Sequence, residues 1–218
     1  MLKNIVIGDI HGRSDWKKYI KEEFDNFYFV GDYFDSRDGF SIIDQITNFR
    51  EICKVVRKDS RFHLCLGNHC HQYLRGLEPD YYLSCSGAQF SARFDIQEVL
   101  EANMDLIKIV YQIDDTLISH AGISNSFMKV LNLTNPLDIN NRFNEYRTSV
   151  GWNGYDPKGY GNNKDNSCLW IRPEALLSDK LTGYKQIVGH THFDIITTID
   201  GITFTDNNNK EVYRFLSI

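Results

Sequence analysis

The chain has 218 residues, of which 42% are hydrophobic and 13% are aromatic, and it contains only 4 prolines. This composition excludes a disordered or low-complexity protein and predicts one α/β domain spanning residues 1–218. Because the formal net charge is -5, a nucleic acid partner is not expected, and no apolar run reaches the ~18 residues that a membrane span needs.

The cysteines and the N-terminal residues favour one cellular compartment. The five cysteines contain no CxxC pair, and the first residues (LKNIVIGD) have the pattern of a strand and lack the charged and apolar regions of a secretory leader. These features predict a cytoplasmic protein with reduced thiols.

Alternating strands and helices are predicted for the first 75 residues. Three short apolar runs each precede a polar cluster, and two segments with helical spacing lie between them. This order predicts a parallel sheet whose strands end at the polar clusters, where ligands bind in such sheets. The predicted strands are Leu2–Ile7 before GDIHG, Phe27–Val30 before GDYFD and Phe62–Leu66 before GNHC, and the predicted helices are Trp16–Phe24 and Ile42–Val56.

The rest of the chain adds a helix, a hairpin and several short strands. Residues 151–167 are rich in Gly and Asn, which predicts an irregular loop, either a lid over a site or a surface connection. The last strands predict a second, largely antiparallel sheet. The predicted fold class is α/β, a two-sheet β-sandwich of mixed sheets flanked by helices in α-β-β-α layers. The segments are a helix at Ala88–Leu100, a hairpin of Leu106–Ile113 and Thr116–Ser119, and strands at Gln186–Val188, Ile195–Ile199, Ile202–Thr205 and Val212–Leu216.

The first two polar clusters place carboxylates and an imidazole at predicted strand ends. Asp9 and His11 lie two residues apart in GDIHG, so both can face one ion if the turn is tight. Asp32 in GDYFD can bridge two ions, or it can cap the helix that follows.

Three further clusters add an amide and four imidazoles. The adjacent side chains of Asn68 and His69 in GNHC diverge, so different roles are expected for them. HAG contains His120, and GHTH contains His190 and His192. This mixture of nitrogen and oxygen ligands suits Mn, Fe or Zn better than Ca or Mg, and the lack of Cys at the motif ligand positions argues against a structural zinc site.

Taken in order, the motifs GDxHG, GDxxD, GNH, HAG and GHxH resemble those of calcineurin-like metallophosphoesterases, and they extend over residues 8–192. HAG and the segment LWIR (169–172) are most similar to the phosphoprotein phosphatase group, which includes bacteriophage lambda phosphatase and the bacterial diadenosine tetraphosphate hydrolases.

This resemblance implies two divalent metal ions, most simply Mn, with Fe or Zn as alternatives. It implies that Asp32 bridges the ions and that His69, oriented by Asp35, protonates the leaving oxygen. Arg37 and Arg172 would hold the phosphoryl group together with Asn68. The implied ligands are Asp9, His11, Asp32 and His192 for the first ion, and Asp32, Asn68, His120 and His190 for the second.

The sequence departs from the pattern of this group at two positions. Ser36 separates Asp35 from Arg37, so either the loop bulges to restore the arginine or Arg37 is a surface charge. Cys70 follows GNH where the group commonly has an acidic residue. It is interpreted first as a small buried residue, and a redox-sensitive thiol is the second interpretation. Outside the pattern, His63 and His71 are expected to be structural or exposed, and Tyr33 and Phe34 to shape either the pocket or the core.

The expected function is hydrolysis of phosphate monoesters by a dinuclear-metal enzyme of the serine/threonine protein phosphatase type. The substrate would be a phosphorylated protein or a small phosphoester. A dinucleoside polyphosphate or nucleotide hydrolase is the alternative, and a nuclease or a metal-free scaffold is more distant.

Overall fold

The computed structural model describes residues 1–74, 85–146 and 160–218. These residues form two five-stranded sheets flanked by helices, which confirms the predicted fold class. The strands are β1 (Leu2–Ile7), β2 (Asn26–Phe29), β3 (Phe62–Cys65), β4 (Ile107–Lys108), β5 (Val110–Ile113), β6 (Thr116–Ser119), β7 (Lys185–Val188), β8 (Thr197–Ile199), β9 (Ile202–Phe204) and β10 (Tyr213–Ser217). The helices are α1 (Trp16–Tyr19), α2 (Ile42–Lys58), α3 (Asn68–Leu74), α4 (Arg93–Glu101), α5 (Asn125–Val130), α6 (Ile139–Tyr146) and α7 (Pro173–Asp179).

Both sheets are mixed. The first has the strand order β10-β1-β2-β3-β4, in which β1 to β4 are parallel and β10 is antiparallel to β1. The second has the order β5-β6-β7-β9-β8. Buried side chains of both sheets, including Val6 and Val30 from the first and Ile118 and Ile187 from the second, pack in one cluster between them. The parallel strands of the two sheets thus bring their following loops to shared edges.

Two sequence expectations about the sheets were wrong. The segment predicted as one strand over Leu106–Ile113 divides between the sheets, with β4 in the first and β5 in the second. At the division, Asn140 Oδ1 accepts hydrogen bonds from the backbone N–H groups of Ile109 and Val110, which replaces strand pairing there. The second sheet is not largely antiparallel, because β6, β7 and β9 are parallel and the last strand, β10, joins the first sheet.

Helix α2 supports the loop that follows β2. It begins with a capping box in which Ser41 and Asp44 exchange side-chain and backbone hydrogen bonds. Its buried face carries Phe49, whose ring lies 4.8 Å from that of Tyr33 and 5.3 Å from that of Phe34. Both rings are fully buried, so Tyr33 and Phe34 anchor the loop in the core instead of shaping the pocket.

Two remaining expectations concern loops and membranes. The predicted irregular loop at 151–167 falls in part on residues 151–159, which lie outside the described residues, and residues 160–167 form turns and bends. Helix α1 ends at Tyr19, five residues earlier than the predicted helix Trp16–Phe24. Across the described ranges, no helix combines the length and apolar character needed to cross a membrane.

Candidate metal centre and active site

The loops after β1, β2, β3, β7 and β9 meet at one edge of the sandwich. They surround a cavity of about 670 Å³. Nine of the predicted site residues line it, while Asp35 and His120 lie fully buried behind the wall. The nine are Asp9, His11, Asp32, Arg37, Asn68, His69, Arg172, His190 and His192.

The backbone of these loops is strained at four of the predicted site residues. His11, Asp32, Asp35 and His190 have φ values of 43°, 51°, 62° and 64°. Residues other than glycine adopt this left-handed region at a cost, and such residues concentrate at functional sites. The strained residues lie in the loops that follow β1, β2 and β7, which marks these loops as parts of a functional site.

Two motif glycines make room for the carboxylates. A Cβ atom on Gly67 would lie 2.0 Å from Asp32 Oδ1, and one on Gly189 would lie 2.2 Å from Asp9 Oδ1. Because Cβ atoms do not approach oxygen this closely, any side chain at either glycine would displace a predicted metal ligand.

Asp32 is shared by two groups of side chains that can hold an ion. In one group, a ligand atom of Asp32 lies within 4.8 Å of ligand atoms of His11 and His69. In the other, ligand atoms of Asp9, Asp32 and His120 lie equally close to one another. Asp32 does not cap α2, the helix that follows it, because Ser41 is the N-cap of α2. Asp32 Oδ1 accepts a hydrogen bond of 2.9 Å from the backbone N–H of His69 in the first turn of α3.

Three of the predicted histidine ligands have one ring nitrogen occupied by a backbone carbonyl. Histidines that bind metals have this arrangement, because the carbonyl takes the N–H and fixes the orientation of the ring. The other nitrogen of each ring then faces the site with its lone pair. The pairs are His11 Nδ1 with the Phe34 carbonyl at 2.6 Å, His120 Nδ1 with Val30 at 2.9 Å and His190 Nε2 with Trp170 at 3.0 Å.

The side-chain oxygen of Asn68 faces two of these lone pairs. Its Oδ1 lies 2.8 Å from His120 Nε2 and 3.0 Å from His190 Nδ1. When both imidazoles are neutral, as they are when they bind a metal ion, each has one N–H, which the backbone carbonyl accepts, so both contacts then join two acceptors. Its Nδ2 donates to Cys85 Sγ at 3.3 Å, which fixes the oxygen toward the histidines.

A divalent cation fits this set of ligand atoms. With metal–ligand bonds of about 2.1 Å, neighbouring ligands of an octahedral ion are about 3 Å apart, and the nitrogen and oxygen atoms around Asn68 Oδ1 have this spacing. A cation would convert the unfavourable contacts between acceptors into coordination. The residues present therefore suit a metal ion.

The buried charges lead to the same conclusion. Burial, followed by the charge of Asp206, raises the pKa of Asp9 well above its usual range. Burial would also raise the pKa of Asp32, but the charges of His120 and His69 lower it below its usual range. Burial lowers the pKa of His120, whereas the carboxylates of Asp32 and Asp9 raise it, with a net value of about 9. A cation would displace such protons, since metal ligands bind in their deprotonated form.

His69 and Asp35 form a buried pair beside the cavity. Asp35 Oδ2 lies 2.8 Å from His69 Nδ1, and the carboxylate is fully buried. The rings of His69 and His11 meet edge to face with centroids 5.0 Å apart. Because Nδ1 contacts Asp35, only Nε2 of His69 is available to a bound molecule.

The two predicted phosphate-binding arginines lie in different surroundings. Arg172 is partly buried at the start of α7, and its Nη1 donates to Thr191 Oγ1 at 3.1 Å. Arg37 is exposed at the rim of the cavity, where its guanidinium donates to Ser86 Oγ. The extra Ser36 left two possibilities, a bulged loop that restores the arginine to the site or an arginine that is only a surface charge. Neither holds alone, since Arg37 is a surface residue that still lines the cavity.

His192 lies apart from the groups that can hold an ion. Its side chain is 43% exposed, and its ring nitrogens are 3.7 Å from Asp194 and 3.9 Å from Asp206. Among the described residues, it belongs to neither of the two groups around Asp32. Its role as a ligand of the first ion stays a prediction.

Sequence reasoning missed several residues of the cavity wall. Arg13 donates to Asp38 at 2.6 Å and to Asn208 Oδ1 at 3.0 Å, and it therefore links three loops. Asp206 lies two residues after the end of β9. The signal was present for Asp206, because the polar cluster DNNN follows an apolar strand as the recognised motifs do. Arg13 and Asp38 gave none, since their partners are distant in sequence.

The residues outside the motif pattern have structural surroundings. Cys70 is fully buried, its Sγ accepts from the backbone N–H of Tyr33, and burial raises the pKa of its thiol well above the usual range. His63 stacks on Tyr28 with ring centroids 4.5 Å apart. His71 is fully buried.

Solved structures of two kinds of phosphatase share this fold. A mutant of a cold-active protein tyrosine phosphatase is 17% identical, with a TM-score of 0.62 over 98% of this chain and 77% of that one. The cold-active protein tyrosine phosphatase of a psychrophilic Shewanella species is 18% identical, with a TM-score of 0.62 over 95% and 71%. A protein serine/threonine phosphatase from Saccharomyces cerevisiae is 16% identical, with a TM-score of 0.55 over 94% and 67%. At these identities the likeness concerns the fold.

No curated protein matches the chain significantly in sequence. The family model of the calcineurin-like phosphoesterases, in contrast, matches residues 2–194, which is nearly the whole chain. The chain therefore belongs to the calcineurin-like phosphoesterase family, as its motifs predicted, and is a metal-dependent phosphoester hydrolase.

Proposed function

We propose that this protein hydrolyses phosphate monoesters at a dinuclear metal centre and acts on phosphorylated proteins, as a serine/threonine phosphatase does. The observation that carries the proposal is the position of Asp32, which has a ligand atom within 4.8 Å of one of His11 in one group and of Asp9 and His120 in the other. A carboxylate with two oxygens can bridge two ions that are about 3.5 to 4 Å apart.

Seven side chains would hold the ions. Asn68 Oδ1 and the site-facing nitrogens of His120 and His190 support the second ion, because three acceptors already converge there. Mn is the expected metal, with Fe or Zn as alternatives, since the ligand set mixes nitrogen and oxygen. The first ion would be held by Asp9, His11, Asp32 and His192, and the second by Asp32, Asn68, His120 and His190.

Bound ions would polarise the phosphoryl oxygens and activate water for attack at phosphorus. The chain itself would supply the proton for the leaving group. His69 faces the cavity with Nε2 while Asp35 orients the ring through Nδ1, and this arrangement suits a general acid.

The arginines would bind the phosphoryl oxygens. Arg172 is partly buried, and Thr191 leaves part of its guanidinium fork free to face the cavity. Such a fork can donate two parallel hydrogen bonds to a phosphoryl group. Arg37 would contribute less, because it is exposed and its charge is screened by water.

A phosphoprotein substrate is supported by two features. The structures named above that share the fold carry the names of protein phosphatases. In addition, the rim of the cavity includes exposed side chains, such as Arg37 and Tyr160, that an extended peptide could contact.

A substrate panel with Mn tests the proposal. We expect turnover of a phosphoserine peptide and of an aryl phosphate, and little or no turnover of diadenosine tetraphosphate or single-stranded DNA. Preferred cleavage of the dinucleotide would contradict the phosphoprotein assignment and favour the nucleotide hydrolase alternative. A protein that binds no Mn and cleaves nothing would favour the scaffold. Asp32→Asn serves as the inactive control.

A further inference from the structure

Asp35 is the centre of a buried hydrogen-bond network that extends beyond the motifs. Besides His69, two side chains of α3 donate to its carboxylate. Gln72 Nε2 donates to Oδ2 at 2.6 Å, and the hydroxyl of Tyr73 donates to Oδ1. Asp35, Gln72 and Tyr73 are all buried, so water does not compete for these contacts.

Backbone groups of the segment Cys85–Gln89 fix the direction of both hydrogen bonds. The N–H of Cys85 donates to Gln72 Oε1 at 3.1 Å, so the amide nitrogen of Gln72 must face Asp35. The N–H of Gln89 donates to the hydroxyl oxygen of Tyr73 at 2.7 Å, so the single hydroxyl proton is directed to Asp35.

The tautomer of His69 follows from these directions. Gln72 and Tyr73 both donate to the oxygens of Asp35, and such donors favour the ionised carboxylate, which has no proton to donate to His69. The contact of 2.8 Å between His69 Nδ1 and Asp35 Oδ2 must therefore be donated by the imidazole. Nδ1 holds its proton, and Nε2 is the nitrogen that can exchange a proton with a bound molecule.

We propose that Gln72 and Tyr73 are positioning residues, which act through Asp35 to fix the tautomer and orientation of His69 for proton donation to the leaving group. This inference rests on the proposed function, in which His69 is the general acid. Without the hydroxyl of Tyr73, Asp35 Oδ1 loses its donor within the cluster, and the carboxylate can turn away from His69.

The same segment links the acid to the other side of the site. Cys85 accepts from the amide of Asn68, and Ser86 accepts from Arg37. Gln72 and Tyr73 hold this segment through its backbone N–H groups at Cys85 and Gln89. The positions of the acid and of the cavity wall are therefore coupled.

Leaving-group dependence tests this role, because a structural defect lowers all rates together. We would measure kcat/KM with Mn for a series from para-nitrophenyl phosphate to an alkyl phosphate. Tyr73→Phe and Gln72→Met should each lower the rate about tenfold on the alkyl phosphate, as loss of a supporting hydrogen bond does. On para-nitrophenyl phosphate, whose leaving group needs no proton, the rate should stay within about twofold.

Two further variants make the outcomes distinct. Tyr111→Phe is the matched control, since it removes a tyrosine hydroxyl that donates to the Leu64 carbonyl at 3.2 Å, away from the cavity lining. The slope of log kcat/KM against the pKa of the leaving group should be the same for this variant as for wild type. His69→Asn should give the steepest dependence on the leaving group.

If His69→Asn is steep but Tyr73→Phe and Gln72→Met lose rate equally on every substrate, the positioning role is wrong and the proposed function stands. If His69→Asn itself keeps the wild-type slope, the acid role fails and the positioning role fails with it.

Discussion

Two polar regions of the sandwich differ in how their hydrogen bonds are completed. Behind the site edge, one polar side chain from each of four adjacent strands forms a continuous row. His63 Nε2 contacts Asn26 Oδ1 at 3.3 Å, Asn26 Nδ2 donates to Asn4 Oδ1 at 2.9 Å, and Asn4 Nδ2 donates to Ser217 Oγ at 2.9 Å. Each side chain of this row is joined to the next by a hydrogen bond.

At the carboxyl edge of the sandwich, acceptors in the loops after β3, β6 and β7 face one another. Asn68 Oδ1 lies against the site-facing ring nitrogens of His120 and His190, which are acceptors when both imidazoles are neutral, because backbone carbonyls then accept their N–H groups. The backbone is strained at Asp32 and His11 there, whereas Asn4 and Asn26 lie in regular strands. A saturated row stabilises the fold, and an unsaturated cluster of acceptors indicates a cation site.

The largest expected effect comes from Asp32→Asn. The substitution keeps the size of the side chain but removes the charge shared by the two ligand groups. We expect activity to fall on the order of a thousandfold, and the bound Mn to fall from two ions to one or none by isothermal titration. If Asp32→Asn still bound two Mn ions with wild-type affinity, the shared role of Asp32 would be contradicted.

Asn4→Ala tests the row of polar side chains, and here we expect a loss of stability without a loss of activity. It leaves the amide of Asn26 without its acceptor and Ser217 without a donor, so the free energy of unfolding should fall by about 2 kcal/mol. Turnover at 25 °C and Mn affinity should not change. Chemical denaturation measures the difference, with the exposed Asn144→Ala as its control. Loss of Mn binding in Asn4→Ala would show that the two regions are not independent.

The two arginines provide a smaller contrast within the site. Arg172→Lys keeps the charge but loses the planar fork, and KM for an aryl phosphate should rise about tenfold. Arg37→Lys should change KM by less than about threefold, because the residue is exposed. Equal effects of the two substitutions would contradict the assignment of Arg172 as the main phosphate ligand.

The smallest expected effect is the acid sensitivity that His63 contributes. Burial, with a smaller contribution from Lys108, lowers the pKa of His63 to about 4 from its usual 6.5. The unfolded chain therefore takes up a proton near pH 6.5 that the folded chain refuses until about pH 4, and stability is lost as the pH falls through this window. His63→Phe keeps an aromatic ring beside Tyr28, and its Tm should fall less between these pH values than that of wild type. Parallel Tm curves would contradict this.

The sequence predicted the parts of this protein that depend on short segments. Asp9, Asp32 and His120 each follow an apolar strand within a few residues, and such local patterns are readable without a structure. The division of one predicted strand between two sheets was not readable, because it depends on the side chain of Asn140, some 30 residues away.

The support of the site depends on longer-range contacts. Gln72 and Tyr73 follow His69 closely, yet their function is evident only when Asp35, more than 35 residues earlier, lies beside them. Arg13 gains its role from Asn208, which is 195 residues later in the chain. Residues that act on a metal or substrate lie in local motifs, whereas residues that position them are defined by the tertiary structure.

In the proposed metal centre, two metal ions share Asp32. Anomalous diffraction at the Mn edge, from crystals grown with Mn and a phosphate analogue, tests it most directly. We expect two peaks about 3.5 to 4 Å apart with Asp32 between them. The ligand set around Asn68, His120 and His190 should surround one of them. A single peak that does not contact Asp32, or no peak at this edge of the sandwich, would contradict it.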